Sequence, residues 1–596
     1  MTRGREAAAL AAILALAALL RLGACGADVP LHGGISYAPV LDAFWYLEAA
    51  ASAAEGLPVD PEPGYDPPVW VPLARVWFAL VGVSWRSACA LAGVVGVVLV
   101  LATWRLARSA LGPGPGLAAA AVLATLYPQV IQSRVPLIYG PLAVWLLAAA
   151  ALWLGARRRP AGARVACELL AWVMVLAAVA ATRPPAAAFA GGLLCAHAAR
   201  ARRGRLLFGG LLGLVAGGVL LVAFLGADAL EPPLALLGWV DPERAATLRY
   251  RLGLHLSQRL DLGTLARRTV GFFGPLRPGQ GSGYLELAPG ACAVAGLGLL
   301  AIAWRWRALS PAARELLALL LGAAGAFVLG GVLMEERPLR YFLLLGPTLA
   351  VSAGCAVAWA SAPPGGASEE GRLRPPVRRL LAGGLLLLAC AGGLGRGLEL
   401  LLYPTRVSET ANRTLPLVLG SQAVPCGPYA SSLAIGSGLR RLRGSWVHAW
   451  PPEALAAALA RLRAEGVTHL LVDAGQERNA ELLRACAEAE APLQLVAVLA
   501  SAGPSPPRTE RMRGAPVLVL RLPWVEGRSP YEQRRESDRE AEGVVESHIE
   551  LLLARMRALV RQGRVDRAQE LARRSIAATP SLARAQARLD DVLQGW

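Results

Sequence analysis

Long apolar segments alternate with short polar segments along the first 400 or so residues of the chain. About eleven of them carry few charges and approach the roughly 20 residues that cross a bilayer as a helix. They cover residues 6–24, 86–104, 115–133, 135–155, 165–182, 184–199, 206–225, 287–303, 315–333, 339–360 and 379–398. The pattern predicts a polytopic α-helical membrane protein with about eleven transmembrane helices.

The arginines between these segments predict the orientation. With a cytoplasmic N-terminus, every second connection is rich in Arg, as the positive-inside rule requires. These connections lie at residues 105–108, 157–164, 200–205, 305–314 and 372–379. A first loop at 25–68, a long loop at 226–286 and everything after residue 400 are then extracytoplasmic. The apolar segment 69–83 is short and flanked by proline, which favours a re-entrant or interfacial helix.

The chain after residue 403 has a different pattern. A helical period at 453–465 is followed by the stretches GVTHLLVD, LQLVAVLA and VLVLRL, which are typical of short buried strands. We therefore predict a transmembrane domain at 1–403, an extracytoplasmic α/β domain at 404–525 and a polar linker at 526–546. The tail at 547–596 carries Gly563, Ala568 and Pro580 at the spacing of one tetratricopeptide repeat. A plain helical hairpin is the alternative, and either would pack on the α/β domain or on a protein partner.

The composition is that of a membrane protein and argues against a nucleic-acid partner. Of 596 residues, 55% are hydrophobic and 17% are charged, against about 25% charged in soluble domains, which argues against a soluble enzyme or a disordered chain. The net charge is +18, and all 60 basic residues are Arg. They cluster between apolar segments as topology signals, so no nucleic-acid partner is expected. The abundant Ala, Gly, Arg and Pro favour a GC-rich bacterial genome. For a polytopic membrane protein of a bacterium we expect location in the cytoplasmic (inner) membrane.

The first extracytoplasmic loop holds the candidate chemistry. Asp42 stands just before an aromatic amphipathic helix containing Phe44, Trp45 and Tyr46. A partly desolvated carboxylate at the outer membrane surface can accept a proton from an incoming hydroxyl group. The alternative is that Asp42 only caps the helix.

Four stretches in this order resemble the GT-C superfamily of membrane glycosyltransferases, which take sugars from polyprenyl-phosphate carriers. The protein mannosyltransferase and aminoarabinose transferase branch is the most similar, over residues 6–400. The matching stretches are Asp42, Tyr46, Leu47, Ala50 and Gly56 followed by Asp66-Pro67-Pro68; Tyr127-Pro128 with 134–141; Thr182-Arg183-Pro184; and Arg340-Tyr341 with Pro347. Asp66 departs from the His often found before the proline pair.

The resemblance implies an inverting sugar transfer, with Asp42 as the general base or acceptor-positioning group. The leaving phosphate needs cations, for which Arg is well suited. We expect Arg340 first, then Arg337, Arg183 and Arg134, to bind the donor phosphate, although an Arg at a span boundary can instead reach lipid headgroups. Further substrate-loop candidates are Tyr46, Glu48, Asp66, Tyr139 and Tyr341. The expected partners are a lipid-linked sugar donor, an unidentified extracytoplasmic acceptor and membrane lipids.

Two alternatives stay open. An oligosaccharyltransferase-like enzyme, from the same superfamily, would transfer a whole glycan to protein and use a divalent metal bound by first-loop acids. The stretch 134–140 offers no second acidic cluster and no WWDYG motif occurs, so we favour an enzyme without metal or other cofactor. A non-enzymatic scaffold or transporter is the other alternative, but Glu168 is almost the only acid inside a predicted span, since Glu6 and Glu315 are the first residues of theirs.

Overall fold

A computed structural model describes most of the transmembrane part of the chain and the core of the region after it. The described residues are 2–28, 42–59, 69–182, 187–200, 287–333, 345–361, 375–402, 404, 406–427, 429–442, 455–473, 494–499, 517–522 and 525. The chain divides into two compact units. We call residues 1–21, 95–132 and 139–398 the helical unit, and residues 22–94, 133–138 and 399–596 the sheet unit.

Long apolar helices build the helical unit. In chain order they are α1 (Arg3–Leu22), α5 (Trp85–Leu111, which begins in the sheet unit), α6 (Pro113–Thr125), α7 (Tyr127–Gln132), α8 (Tyr139–Ala156), α9 (Ala161–Thr182), α10 (Ala187–Arg200), α11 (Pro289–Arg305), α12 (Pro311–Leu333), α13 (Leu345–Ser361) and α14 (Pro375–Leu402, which ends in the sheet unit). A short 3₁₀ turn, Trp306–Ala308, follows α11. These helices lie at the positions of the predicted apolar segments. Residues 206–225, another predicted span, lie outside the described ranges.

Six of the described helices are long and apolar enough to cross a membrane. They lie at Trp85–Leu111, Tyr139–Ala156, Ala161–Ala178, Pro289–Ala308, Pro311–Val328 and Pro376–Leu402. The predicted span 115–133 is two helices, α6 and α7. Leu126 between them is extended, and Pro128 has no N–H with which to continue the hydrogen bonds of α6. A polytopic membrane protein is therefore supported, and the count of about eleven spans stays a prediction.

Small residues bring helices of the helical unit close together. Helix α13 packs against both α11 and α6. At these contacts Gly298 of α11 faces the Ser352 carbonyl, and a Cβ on Gly354 of α13 would lie 2.7 Å from the Pro115 carbonyl oxygen. In a membrane the hydrophobic effect does not drive helices together, so they associate through van der Waals packing. Small residues strengthen this packing because they let the backbones approach closely.

Buried charges in the helical unit are paired. Arg21 at the end of α1 donates to the carbonyl oxygens of Ala124 (2.8 Å) and Leu123 (3.0 Å) near the C-terminus of α6, where the helix dipole favours a cation. Glu315 of α12, with a fully buried side chain, binds Arg157 and Arg200. Arg200 also pairs with Glu168 and lies over the Trp153 ring.

The sheet unit combines short helices with a four-stranded sheet. Its helices are α2 (Asp42–Trp45), α3 (Glu48–Ala54), α4 (Trp70–Val81), α15 (Val407–Leu419), α16 (Ala430–Leu433) and α17 (Leu455–Ala464). Its strands are β1 (Pro425–Cys426), β2 (His469–Asp473), β3 (Gln494–Leu499) and β4 (Val517–Arg521). The strand order is β1-β2-β4-β3, with β1 parallel to β2 and the other pairs antiparallel. Strands β2, β3 and β4 lie in the three stretches from which strands were predicted.

Both faces of the sheet are covered, because alternate residues of a strand point to opposite sides. Leu471 and Val519 share one core with Leu415 of α15, whereas Leu470, Val472 and Leu462 of α17 belong to the other. The unit is thus a small α/β structure. The predicted linker 526–546 and tail 547–596 lie outside the described residues, so the tetratricopeptide-like tail stays a prediction.

Candidate functional site

The first-loop helices position the candidate base. Asp42 is the first residue of α2, and its side chain lies outside the described part of the structure. The residues that follow it are packed tightly. Phe44 stacks on Trp85, with ring centroids 4.3 Å apart, and Trp45 enters the core formed by α15 and the sheet. Helix α2 is therefore anchored by packing within the sheet unit.

A buried arginine holds the next helix. The Nε atom of Arg441 lies 2.8 Å from Oε1 of Glu48, at the start of α3, and its Nη2 atom lies 2.7 Å from Oε2 of Glu55, just after the end of α3. The side chains of Arg441 and Glu48 are 0% and 2% exposed. We call Arg441, Glu48 and Glu55 the Arg441 clamp. One guanidinium thus holds both ends of α3.

Additional hydrogen bonds complete the Arg441 clamp. Ser52 donates to Glu48 Oε1 at 2.7 Å, the Gly438 amide donates to Glu55 Oε1 at 3.1 Å, and Arg441 Nη1 donates to the Ala434 carbonyl at 3.1 Å. Burial alone lowers the pKa of Arg441, but Glu48 and Glu55 outweigh burial and raise it above its ordinary value. The cation therefore stays charged, and the clamp fixes the chain that follows Asp42.

A second cluster, which we call the Glu409 cluster, lies at the start of α15. The buried Glu409 carboxylate accepts hydrogen bonds from three arginines: from Arg86 Nε at 2.6 Å, from Arg413 Nη2 at 2.7 Å and from Arg406 Nη1 at 2.8 Å. Of the residues that form these two clusters, only Glu48 is a predicted site residue. Arg441 lies in the basic stretch GLRRLRG, whereas Arg86, Arg406 and Arg413 are isolated basic residues, and no local motif marks their partners.

Three other predicted site residues lie within the described ranges, and all are buried. Arg134 donates from Nη2 to the Ala24 carbonyl at 2.9 Å, so at least one of its N–H groups is taken by the backbone. Tyr46 follows α2 directly, and Tyr139 is the first residue of α8.

The remaining predicted residues lie outside the described ranges: Asp66, Arg183, Arg337, Arg340 and Tyr341. Across the described ranges, the structure contains no group of three or more His, Cys, Asp or Glu side chains that could hold a metal ion.

Comparisons with known proteins identify the fold. No family model and no curated protein matches the sequence. Among solved structures, ArnT from Cupriavidus metallidurans bound to undecaprenyl phosphate matches with a TM-score of 0.50 and 12% identity, over 87% of this chain and 98% of that one. Its apo form matches equally well, at 13% identity. The oligosaccharyltransferase AglB from Archaeoglobus fulgidus, bound to an inhibitory peptide and a dolichol-phosphate, has a TM-score of 0.47 and 13% identity, over 78% of this chain and 69% of that one.

The chain therefore shares its fold with ArnT. The ArnT match extends over nearly all of that enzyme. The resemblance in the sequence is confirmed at the level of fold.

Proposed function

We propose that this protein is an inverting glycosyltransferase that moves a sugar from a polyprenyl-phosphate donor to an extracytoplasmic acceptor. The observation that carries the proposal is the fold shared with ArnT, a membrane protein whose structure contains undecaprenyl phosphate. The placement of Asp42 supports it, because this residue begins a helix anchored by stacking, by a buried Trp and, through the next helix, by the Arg441 clamp.

In the proposed reaction Asp42 accepts the proton of the acceptor hydroxyl. The oxygen attacks the anomeric carbon, a new glycosidic bond forms, and the bond from that carbon to the donor phosphate breaks with inversion. The polyprenyl phosphate leaves with the bonding electrons, and arginines stabilise its charge. We propose Arg340, Arg337, Arg183 and Arg134 for this role, with Tyr46, Asp66, Tyr139 and Tyr341 near the substrates, while Glu48 holds α3 in place through Arg441.

We further propose that the chain crosses the bacterial inner membrane about eleven times, with a cytoplasmic N-terminus. Residues 1–403 then form the catalytic domain, and residues 404–525 face the extracytoplasmic side beside the acceptor. The tail at 547–596 would recruit a protein partner or pack on the α/β domain.

The first test replaces Asp42 by Asn in the full-length protein. Envelope glycans and glycoproteins are compared by mass spectrometry in a deletion strain complemented with wild type, Asp42→Asn or Glu465→Gln at equal protein level. Glu465 is a matched control, because it pairs with the exposed Arg461 outside the candidate site. We expect one sugar to be lost in the deletion strain and restored by wild type and by the control, but not by Asp42→Asn.

Other outcomes separate the alternatives. Restoration by Asp42→Asn would reject the catalytic assignment, and an unchanged glycan profile in the deletion strain would favour the scaffold or transporter. Transfer abolished by a chelator and recovered with a divalent metal would favour the oligosaccharyltransferase-like reaction.

A further inference from the structure

The Glu409 cluster has more positive than negative charge. Arg86, Arg406 and Arg413 surround a single carboxylate that is 5% exposed, whereas their own side chains are 52%, 37% and 66% exposed. A guanidinium has five N–H donors, and the contact with Glu409 uses one from each arginine. The buried carboxylate thus orders three cations that still face solvent.

The charged residues next to the Glu409 cluster do not cancel its excess of positive charge. Buried Arg134 donates to Ala24 beside Cys25, whose thiol donates to the Arg86 carbonyl at 3.4 Å. One further acid lies nearby, since Asp28 accepts the Ser408 amide at 3.2 Å. Among the described residues, these four arginines and two acids give a net charge of +2 (four minus two). The positive charge exceeds what is needed to neutralise these two acids, so the cluster is suited to an external anion.

The positions of the arginines in the chain place them at the membrane boundary. Arg86 is the second residue of the candidate span Trp85–Leu111, and Arg406 comes shortly after Leu402, the last residue of another. Arginine at such a boundary meets phosphate groups of lipid headgroups.

Helix α4 adds an apolar surface next to Arg86. Trp77 of α4 donates to the Ser87 carbonyl at 2.8 Å, which joins the helix to the start of α5. The side of α4 away from the core exposes Leu73, Val76, Leu80 and Val81. An apolar helix face beside cationic side chains is the arrangement by which proteins lie at a lipid surface.

We propose that the Glu409 cluster is a binding site for a lipid-borne phosphate at the outer membrane surface. The phosphate oxygens would accept N–H groups of Arg86, Arg406 and Arg413 that Glu409 does not use, while the lipid chain lies along the exposed face of α4. Either an anionic phospholipid or a polyprenyl phosphate supplies this chemistry. The location at the outer surface and the role of Arg134 rest on the proposed function, whereas the contacts of Arg86, Arg406 and Arg413 and the binding test below do not involve Asp42 or sugar transfer.

The test measures lipid binding to purified, delipidated full-length protein by native mass spectrometry. Phosphatidylglycerol, undecaprenyl phosphate and zwitterionic phosphatidylcholine are titrated separately against wild type, Arg86→Gln/Arg413→Gln and Arg461→Gln/Arg463→Gln. The control pair removes the same charge from exposed arginines of α17. Since one arginine near an anionic surface changes affinity by about fivefold, the cluster variant should bind anionic lipid roughly 25-fold more weakly, and the control should bind as wild type does.

Comparison of the separate lipid titrations identifies the lipid that binds. Equal loss of phosphatidylglycerol and undecaprenyl phosphate, with phosphatidylcholine binding equal in all variants, supports a site for any anionic phosphate headgroup, and selective loss of one assigns the site to that lipid. Unchanged binding by the cluster variant, or equal losses in the cluster and control variants, would overturn the proposal. The single variant Arg413→Gln changes the most exposed of the three side chains and should lose part of the binding of anionic lipid. It keeps the test valid if the double variant misfolds.

Discussion

The Arg441 clamp and the Glu409 cluster use the same two chemical groups in opposite proportions. In the clamp one arginine with a fully buried side chain meets two carboxylates, of which Glu48 is 2% and Glu55 10% exposed. In the Glu409 cluster one carboxylate, 5% exposed, meets three arginines that are 37% to 66% exposed. Burial makes the first arrangement costly to disturb, whereas solvent screens the second. We therefore assign stability to the clamp and ligand binding to the Glu409 cluster.

Removing the central arginine should have the largest effect on stability. Arg441→Met leaves Glu48 and Glu55 buried without their cation, which costs about 3–5 kcal/mol when a buried pair is broken. Chemical unfolding in detergent, followed by tryptophan fluorescence, measures this loss. Arg461→Met is the matched control, because the Arg461–Glu465 pair is 51% and 27% exposed. A loss below about 1 kcal/mol for Arg441→Met, the range of exposed pairs, would contradict the assignment.

Much of the helical architecture could be predicted from the sequence, since an apolar stretch near bilayer length has few alternatives to a helix. Helices α5, α8 and α9 lie at three of these stretches. The break between α6 and α7 was missed. Pro128 was visible, but a proline within an apolar stretch can either kink a helix or end it.

The Arg441 clamp could not be predicted. Arg441 lies in the basic stretch GLRRLRG beside the less buried Arg440, and Glu55 is 386 residues away in the chain. Glu48 was predicted as a substrate-loop acid because first-loop carboxylates look alike in sequence. In the structure its Oε1 atom is occupied by Arg441 and Ser52, so only tertiary contacts distinguish it from the other acids of the loop.

Removing the central carboxylate of the Glu409 cluster should have an intermediate effect. Glu409→Gln keeps one acceptor oxygen but loses the charge that orders three arginines, which should cost about 1–2 kcal/mol. The same unfolding experiment measures the loss, with Glu465→Gln as the control for an exposed carboxylate. If Glu409→Gln cost as much as Arg441→Met, the contrast between the buried and the exposed cluster would fail.

The smallest effect on stability is expected from Arg413→Gln. Arg413 is 66% exposed, and two other arginines still bind Glu409 after its loss, so the change should stay within about 0.5 kcal/mol. Native mass spectrometry of the same preparation should nevertheless show weaker retention of anionic lipid. This pairing of unchanged unfolding with reduced lipid retention is what separates a ligand site from a structural ion pair. A stability loss without a change in lipid retention would make the third arginine a structural group, and the two clusters would then differ only in exposure.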